Sequence, residues 1–154
     1  MIRQADETDF PELRRLFARL DAVHHAWRPE LFRSAEEIER EDLLLHAMVE
    51  QEGGLTLLFE SGGRAVGMLH MVVRETEHTY LRAGRGAHVH HLVVTEDAEG
   101  TGVAQALMQA ATEHARELGA TRMELSVFEC NDRARAFYAK LGFDTETRKL
   151  YRAL

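Results

Sequence analysis

His88-Val-His-His-Leu-Val-Val-Thr-Glu-Asp-Ala-Glu-Gly-Thr-Gly-Val-Ala104 organises everything around it. Its apolar run, Leu92, Val93 and Val94, reads as the end of a strand. A short polar turn carrying Gly100 and Gly102 follows. An amphipathic helix pattern starts directly after it, with Val103, Leu107, Ala111, His114 and Leu118 on one stripe and Gly119 as the stop. A strand that runs through a glycine turn into a helix N-terminus is a device for holding phosphate. The turn's N–H groups converge, and the helix dipole adds a fractional positive charge.

Downstream, residues 121–128 alternate as a strand, Asn131 or Asp132 caps a helix through Phe137, Tyr138 and Leu141, and Gly142 closes it. Residues 143–154 read as a short strand or hairpin. Upstream, residues 87–94 form the strand that enters the turn, after a loop at 77–86. Strands at 55–60 and 64–75 are joined by Ser61-Gly62-Gly63, a hairpin signal. Residues 1–4 suit a short first strand. A helix over about residues 8–26, capped by Asp6 or Thr8, puts Phe10, Leu13, Leu16, Phe17 and Leu20 on one face. After Pro29, Ser34 and Glu37 make a capping box for a second helix through Ile38, Leu44 and Met48, stopped by Gly53-Gly54. The order βααββ, β, α, β, α, β(β) predicts one α/β domain over residues 1–154, a mixed, mostly antiparallel sheet with helices on both faces.

Composition bounds the function. A chain of 154 residues is long enough for one substantial core, and 45% apolar with 29% charged residues is ordinary for a globular protein. A net charge of −7 argues against a nucleic-acid surface. The lone Cys130 rules out an internal disulfide and suggests a reducing compartment. The N-terminus has no apolar signal region and no run approaches membrane-spanning length, so a cytoplasmic protein without membrane contact is expected.

Two motifs carry a resemblance. Glu99-Gly-Thr-Gly-Val-Ala104 is similar to the Gln/Arg-x-x-Gly-x-Gly/Ala turn of the GNAT superfamily of N-acetyltransferases, except at its first position. Asn131-Asp-Arg-Ala-Arg-Ala-Phe-Tyr138-Ala-Lys-Leu-Gly-Phe143 resembles that superfamily's second diagnostic stretch. Their order, and the element order of the whole chain, match the superfamily, most specifically over residues 87–143. The resemblance implies acetyl-CoA as donor, with no metal. Its diphosphate would sit on the amides of Gly100, Thr101, Gly102, Val103 and Ala104, and its pantetheine arm along Leu92, Val93 and Val94 like an added strand. In such a fold the fourth and fifth strands splay to admit the coenzyme, often at a bulge. Asn131 would meet the pantetheine, and Arg133, Arg135 and Lys140 its phosphates. Glu99 stands where Arg or Gln is usual, beside Glu96 and Asp97. A carboxylate aimed at the diphosphate from about 6 Å would cost roughly 2–3 kcal/mol at an effective dielectric near 20. The alternative is that these acids face water and the amides do the binding.

Acetyl transfer to an amine needs a neutral nucleophile, a stabilised oxyanion and a proton for the leaving thiolate. Strand alternation puts His88 and His90 on one face and His91 on the other. The His-x-His pair resembles that of arylalkylamine N-acetyltransferases, where such histidines pass the substrate's proton to water. Glu75 and Glu124 are the other candidate bases. The resemblance gives Tyr138 the role of proton donor to the thiolate, and the N–H of Val93 or Val94 that of oxyanion donor. Trp27, Phe32 and Tyr80, with His90, are candidate acceptor-binding residues, the acceptor being a small-molecule or peptide amine. A homodimer is expected from the resemblance.

Rival readings are open at this point. A dinucleotide fold would want a third glycine where Gln105 stands. A metal site would use His88, His90 and His91. A coenzyme-binding module without turnover would be in keeping with Glu99. Transfer through an acetyl-cysteine at Cys130 is set against direct transfer in a ternary complex.

Overall fold

The computed structural model describes residues 1–76 and 82–154. In chain order the elements are β1 (Ile2–Gln4), α1 (Phe10–Trp27), α2 (Asp42–Glu50), β2 (Gly54–Ser61), β3 (Arg64–Glu75), β4 (Arg85–Val94), α3 (Val103–Glu117), β5 (Ala120–Leu125) and α4 (Asp132–Lys140). The strands lie in the order β1-β2-β3-β4-β5. The first four are antiparallel, and only β4 and β5 run parallel. The expected mixed, mostly antiparallel sheet with helices on both faces is what forms.

Alternation along β3 divides the core. Leu69, Met71 and Val73 face α3, where Val103, Leu107, Met108, Ala111 and Ala115 meet them. Met68 faces the other way, against Leu13, Leu16 and Phe17 of α1 and Leu45 of α2. Burying one such side chain contributes about 1.5–3 kcal/mol. The α3 stripe runs through Met108 and Ala115 rather than His114, which stays half-exposed. Gly67 lets α3 sit close to the sheet, because a Cβ there would stand 2.7 Å from Val103 Cγ1. The turn Gly62-Gly63, with φ of 59° and 77°, joins β2 to β3 as the hairpin signal anticipated.

Three expectations need correction. The Ser34/Glu37 capping box starts only a short 3-10 turn, Ala35–Glu37, and the second helix begins at Asp42. Capping satisfies local donors, but few apolar side chains here find the core, so the helix does not propagate. The strand expected to reach residue 128 ends at Leu125, and Val127 and Phe128 are exposed beyond it. Residues 143–154 form no strand; Phe143 packs on the core, residues 144–154 are exposed, and Leu150 and Tyr151 contact no core. Among the described residues no helix is long and apolar enough to cross a membrane.

Candidate functional site

The turn after β4 is a cradle of unused donors. Gly100 (φ 76°) and Gly102 (φ 91°) are left-handed, a geometry costing other residues about 1–2 kcal/mol. A Cβ built on either would meet nothing within 4 Å, so the space beside them is open. Gly102 caps α3 without a side chain accepting the helix's first N–H groups. The amides of Gly100, Gly102, Val103, Ala104 and Gln105 have no acceptor among the described residues. Thr101 is turned inward instead: its N–H and its hydroxyl both donate to Ala98 O, at 3.4 and 2.6 Å.

The strand feeding this turn is open on one edge. β5 pairs with β4 from Arg85↔Ala120 to Val89↔Leu125, and pairing stops there. Thr95 N–H donates to Val66 O on β3 at 2.8 Å, so alternation turns Leu92 and Val94 away from β3 and Val93 toward it. Val94 O accordingly accepts from Arg19 Nε at 2.8 Å rather than from a strand. Of the two amides expected to meet an oxyanion, Val94's faces the gap and Val93's faces β3.

The histidines depart from simple alternation. Between His70↔His91 and Met71↔Val89 the register shifts, leaving His90 as the extra residue of a β-bulge. Val89 stays on the α3 side, so His88, His90 and His91 all face α1 and α2. His91, expected on the opposite face, packs edge-on against Phe17 with ring centroids 5.0 Å apart. His70 of β3 joins them, 5.7 Å from His90 and 6.2 Å from His91. His88 and His90 are 4.5 Å apart, and His88 Nδ1 lies 3.2 Å from Glu124 Oε1. Burial pushes the His91 and His70 pKa values down to about 4. His90, exposed at the bulge, is lowered by partial desolvation and by the nearby His88 and Arg74. His70 Nδ1 lies 2.9 Å from Thr56 Oγ1, itself 3.2 Å from Met48 O at the end of α2.

Glu124 thus stands behind His88, while Glu75 lies on the α3 side at the far end of β3, 3.4 Å from Arg85. Sequence reasoning missed His70, although a histidine inside the apolar run of β3 was a signal. The three strand histidines do not gather ligand atoms as a metal site would. Among the described residues the group that does is Glu7, His46 and Glu50, elsewhere on the surface.

Glu99 neither faces water nor lies bare beside the cradle. Its Oε1 accepts from Arg19 Nη2 at 2.6 Å, its Oε2 is bound by Arg133 Nη1, and these partners, Arg133 first, hold its pKa below the usual carboxylate range. Glu96 and Asp97 remain exposed. Of the three cations expected near phosphate, only Arg133 reaches the turn. Arg135 is tied to Glu129 and Asp132, and Lys140 lies about 10 Å further along the axis of α4. Asn131 spends its side-chain oxygen capping α4, accepting from Ala134 N–H at 3.0 Å.

Tyr138 packs between Phe137 and Phe143, and its phenol is pushed up to about 12 by burial. Its hydroxyl has no protein partner among the described residues. Trp27 and Phe32 gather with His24 and with Phe128 from the loop after β5, their centroids 5.0–6.3 Å apart. Phe128 lies beyond the strand expected to include it, and the early end of β5 at Leu125 lets it reach α1. Tyr80 lies outside the described residues. Cys130 is exposed in the turn before α4.

These features fit a coenzyme A thioester: free amides beside open space for a diphosphate, and an unpaired strand edge for an amide-bearing arm. A protein of Bacillus subtilis (strain 168) described as an uncharacterized N-acetyltransferase, YdgE, is 38% identical over 63 residues, spanning 41% of this chain and 40% of its own. A mutant of the BH1408 protein from Bacillus halodurans superposes with a TM-score of 0.93 at 24% identity, covering 100% of this chain and 99% of that one. The aminoglycoside N-acetyltransferase AAC(6')-Iy in complex with CoA gives 0.73 at 17% identity, covering 100% and 98%. At those identities the likeness is one of fold. Residues 20–143 match the acetyltransferase (GNAT) family, and with four-fifths of its length inside that match the chain belongs to this family of acetyl-CoA-dependent N-acetyltransferases.

Proposed function

We propose that this protein moves the acetyl group of acetyl-CoA onto a primary amine by direct transfer in a ternary complex. The observation that carries the reading is a juxtaposition along one strand. A histidine bulge, an open β4 edge and a cradle of free amides follow one another within residues 88–105.

The coenzyme supplies a thioester whose acyl carbon a neutral amine can attack. The amides of Gly100, Gly102, Val103 and Ala104 would hold its diphosphate, and the edge groups of Leu92 its pantetheine arm. His90 takes the proton of the acceptor ammonium. Its lowered pKa keeps it neutral near pH 7, where it can accept one. His88, backed by Glu124, passes that proton to solvent. The Val94 N–H faces the developing oxyanion. Tyr138 stays protonated through the neutral range and donates to the departing sulfur, so the broken C–S bond ends as a thiol.

Trp27, Phe32, Phe128 and His24 would form one wall of the acceptor site. Three of the neighbours in fold are aminoglycoside acetyltransferases, one solved with sisomicin. Here the nearby acids are each tied to arginine: Asp21 to Arg40, Glu30 to Arg28, Glu129 to Arg135. The reading is tested by acetyl-CoA-dependent thiol release over small amines, amino acids, aminoglycosides, peptide N-termini and lysine peptides. Turnover on at least one class is expected. Binding of acetyl-CoA without turnover on any class would sink it. A homodimer in the cytoplasm belongs to the same proposal, and light scattering of the purified protein checks the assembly.

A further inference from the structure

Glu99 is out of character in the turn it opens. From Gly100 on, the turn attracts negative charge: acceptor-free amides, open space beside two left-handed glycines, and the N-terminus of a 15-residue helix. The carboxylate is nonetheless held, and held from two directions. Arg19 comes from α1 and is pinned independently, because its Nε donates to Val94 O at 2.8 Å. Arg133 comes from the first turn of α4, the helix that follows β5, whereas Glu99 follows β4. The Glu99–Arg133 pair therefore spans the mouth of the gap between the extensions of β4 and β5, where β4 has its open edge. A carboxylate gripped by two guanidinium groups presents what a phosphate presents, two oxygens and negative charge on adjacent donors.

We propose that Glu99 is an internal stand-in for phosphate: it holds Arg19 and Arg133 at the mouth of the gap and gives up Arg133 to the coenzyme's diphosphate. The inference rests on the acetyl-CoA reading above and adds Arg19, Arg133 and Glu99 to it as one exchangeable anion site. Three consequences distinguish it from a clamp that merely ties α1 to α4. Glu99 competes with the ligand, so removing its charge tightens binding. Arg133 is already paired with Glu99 in the free protein, and Arg19 with Glu99 and Glu96, so binding responds weakly to salt until Glu99 is removed. Both effects need phosphate on the ligand.

Isothermal calorimetry with acetyl-CoA at low and high salt tests this on the wild type, Glu99→Gln, Arg133→Gln and the double variant. NMR titration with S-acetylpantetheine, which lacks the phosphates, runs alongside. Glu99→Gln is expected to bind acetyl-CoA about fivefold tighter with a steeper salt dependence, the size of one exposed ion pair. S-acetylpantetheine is expected to bind all four proteins alike. Arg133, largely exposed, can be replaced without unfolding, and Arg133→Gln should weaken acetyl-CoA by about fivefold. The double variant should lose most of the gain from Glu99→Gln, because the guanidinium that Glu99 restrained is gone. Unchanged or weaker binding of acetyl-CoA by Glu99→Gln overturns the proposal, as does an equal gain for S-acetylpantetheine. Failure of the wild type to bind acetyl-CoA at all would instead bring down the acetyl-CoA reading itself.

Discussion

The two ends of β4's second half are opposites electrostatically. At the bulge, His70, His88, His90 and His91 crowd on one face, and burial keeps the inner two uncharged. A few residues on, the turn from Glu99 to Ala104 concentrates unpaired N–H dipoles and two arginines around the Glu99 carboxylate. In the proposed reaction one end would accept a proton and the other an anion. The strand between them sets their separation, and an acyl donor laid along its edge would meet both. A binding site and a base can thus share one strand without interfering, because one is neutral and the other screened by its own ion pairs.

The comparison can be broken at either end. Tyr138→Phe should cut turnover by about a thousandfold, within the range for a lost general acid, while acetyl-CoA affinity changes less than about threefold. Single-turnover rates beside calorimetry separate the two, and an unchanged rate removes the phenol from the mechanism. His90→Gln is expected to lower the rate at pH 7 by about a hundredfold and to move the alkaline requirement upward. A pH–rate profile of unaltered shape would clear His90 of the base role.

The neutral end also makes a stability prediction. His70 has its folded pKa depressed to about 4 by burial, so between there and its ordinary value the unfolded chain binds more protons than the folded one. Stability is therefore present in full above pH 6.5 and lost as pH falls, by about 2 kcal/mol for His70 between pH 7 and 5. Urea midpoints at the two pH values measure it, and His70→Gln should flatten the slope. The smallest effect belongs to the anion end. Gly102→Ala forces a Cβ into a left-handed turn and is expected to weaken acetyl-CoA by about tenfold through a reshaped cradle. Equal affinity would show that the amides of that turn do not carry the binding.

How much of this was readable in advance depends on the range of the forces involved. The glycine turn, the N-cap at Asn131 and the Gly62-Gly63 hairpin are local: each follows from φ preferences or one side chain bonding its neighbour. They were found where the residues implied them. The bulge at His90 is not local. It comes from the pairing of β4 with β3, and one inserted residue reverses the face of His91. Likewise Glu99 looked like a repulsive or idle charge until α1 and α4 brought their arginines from 80 and 34 residues away. Phe128 reached the aromatic wall only because its strand ended early. The tail misled for the opposite reason, since its apolar residues permit a strand but no neighbour pairs with it.

By itself, then, the amino-acid order determined most of the element sequence, the glycine turn after β4 and the helix that carries Tyr138. Those depend on hydrophobic period, glycine conformations and motif spacing, all written within a few residues of one another. Tertiary structure alone decided which histidines share a face, that His70 joins them, and that Arg19 and Arg133 close on Glu99. Such contacts are made between elements far apart in the chain, where packing and charge pairing choose the partner and no local rule can.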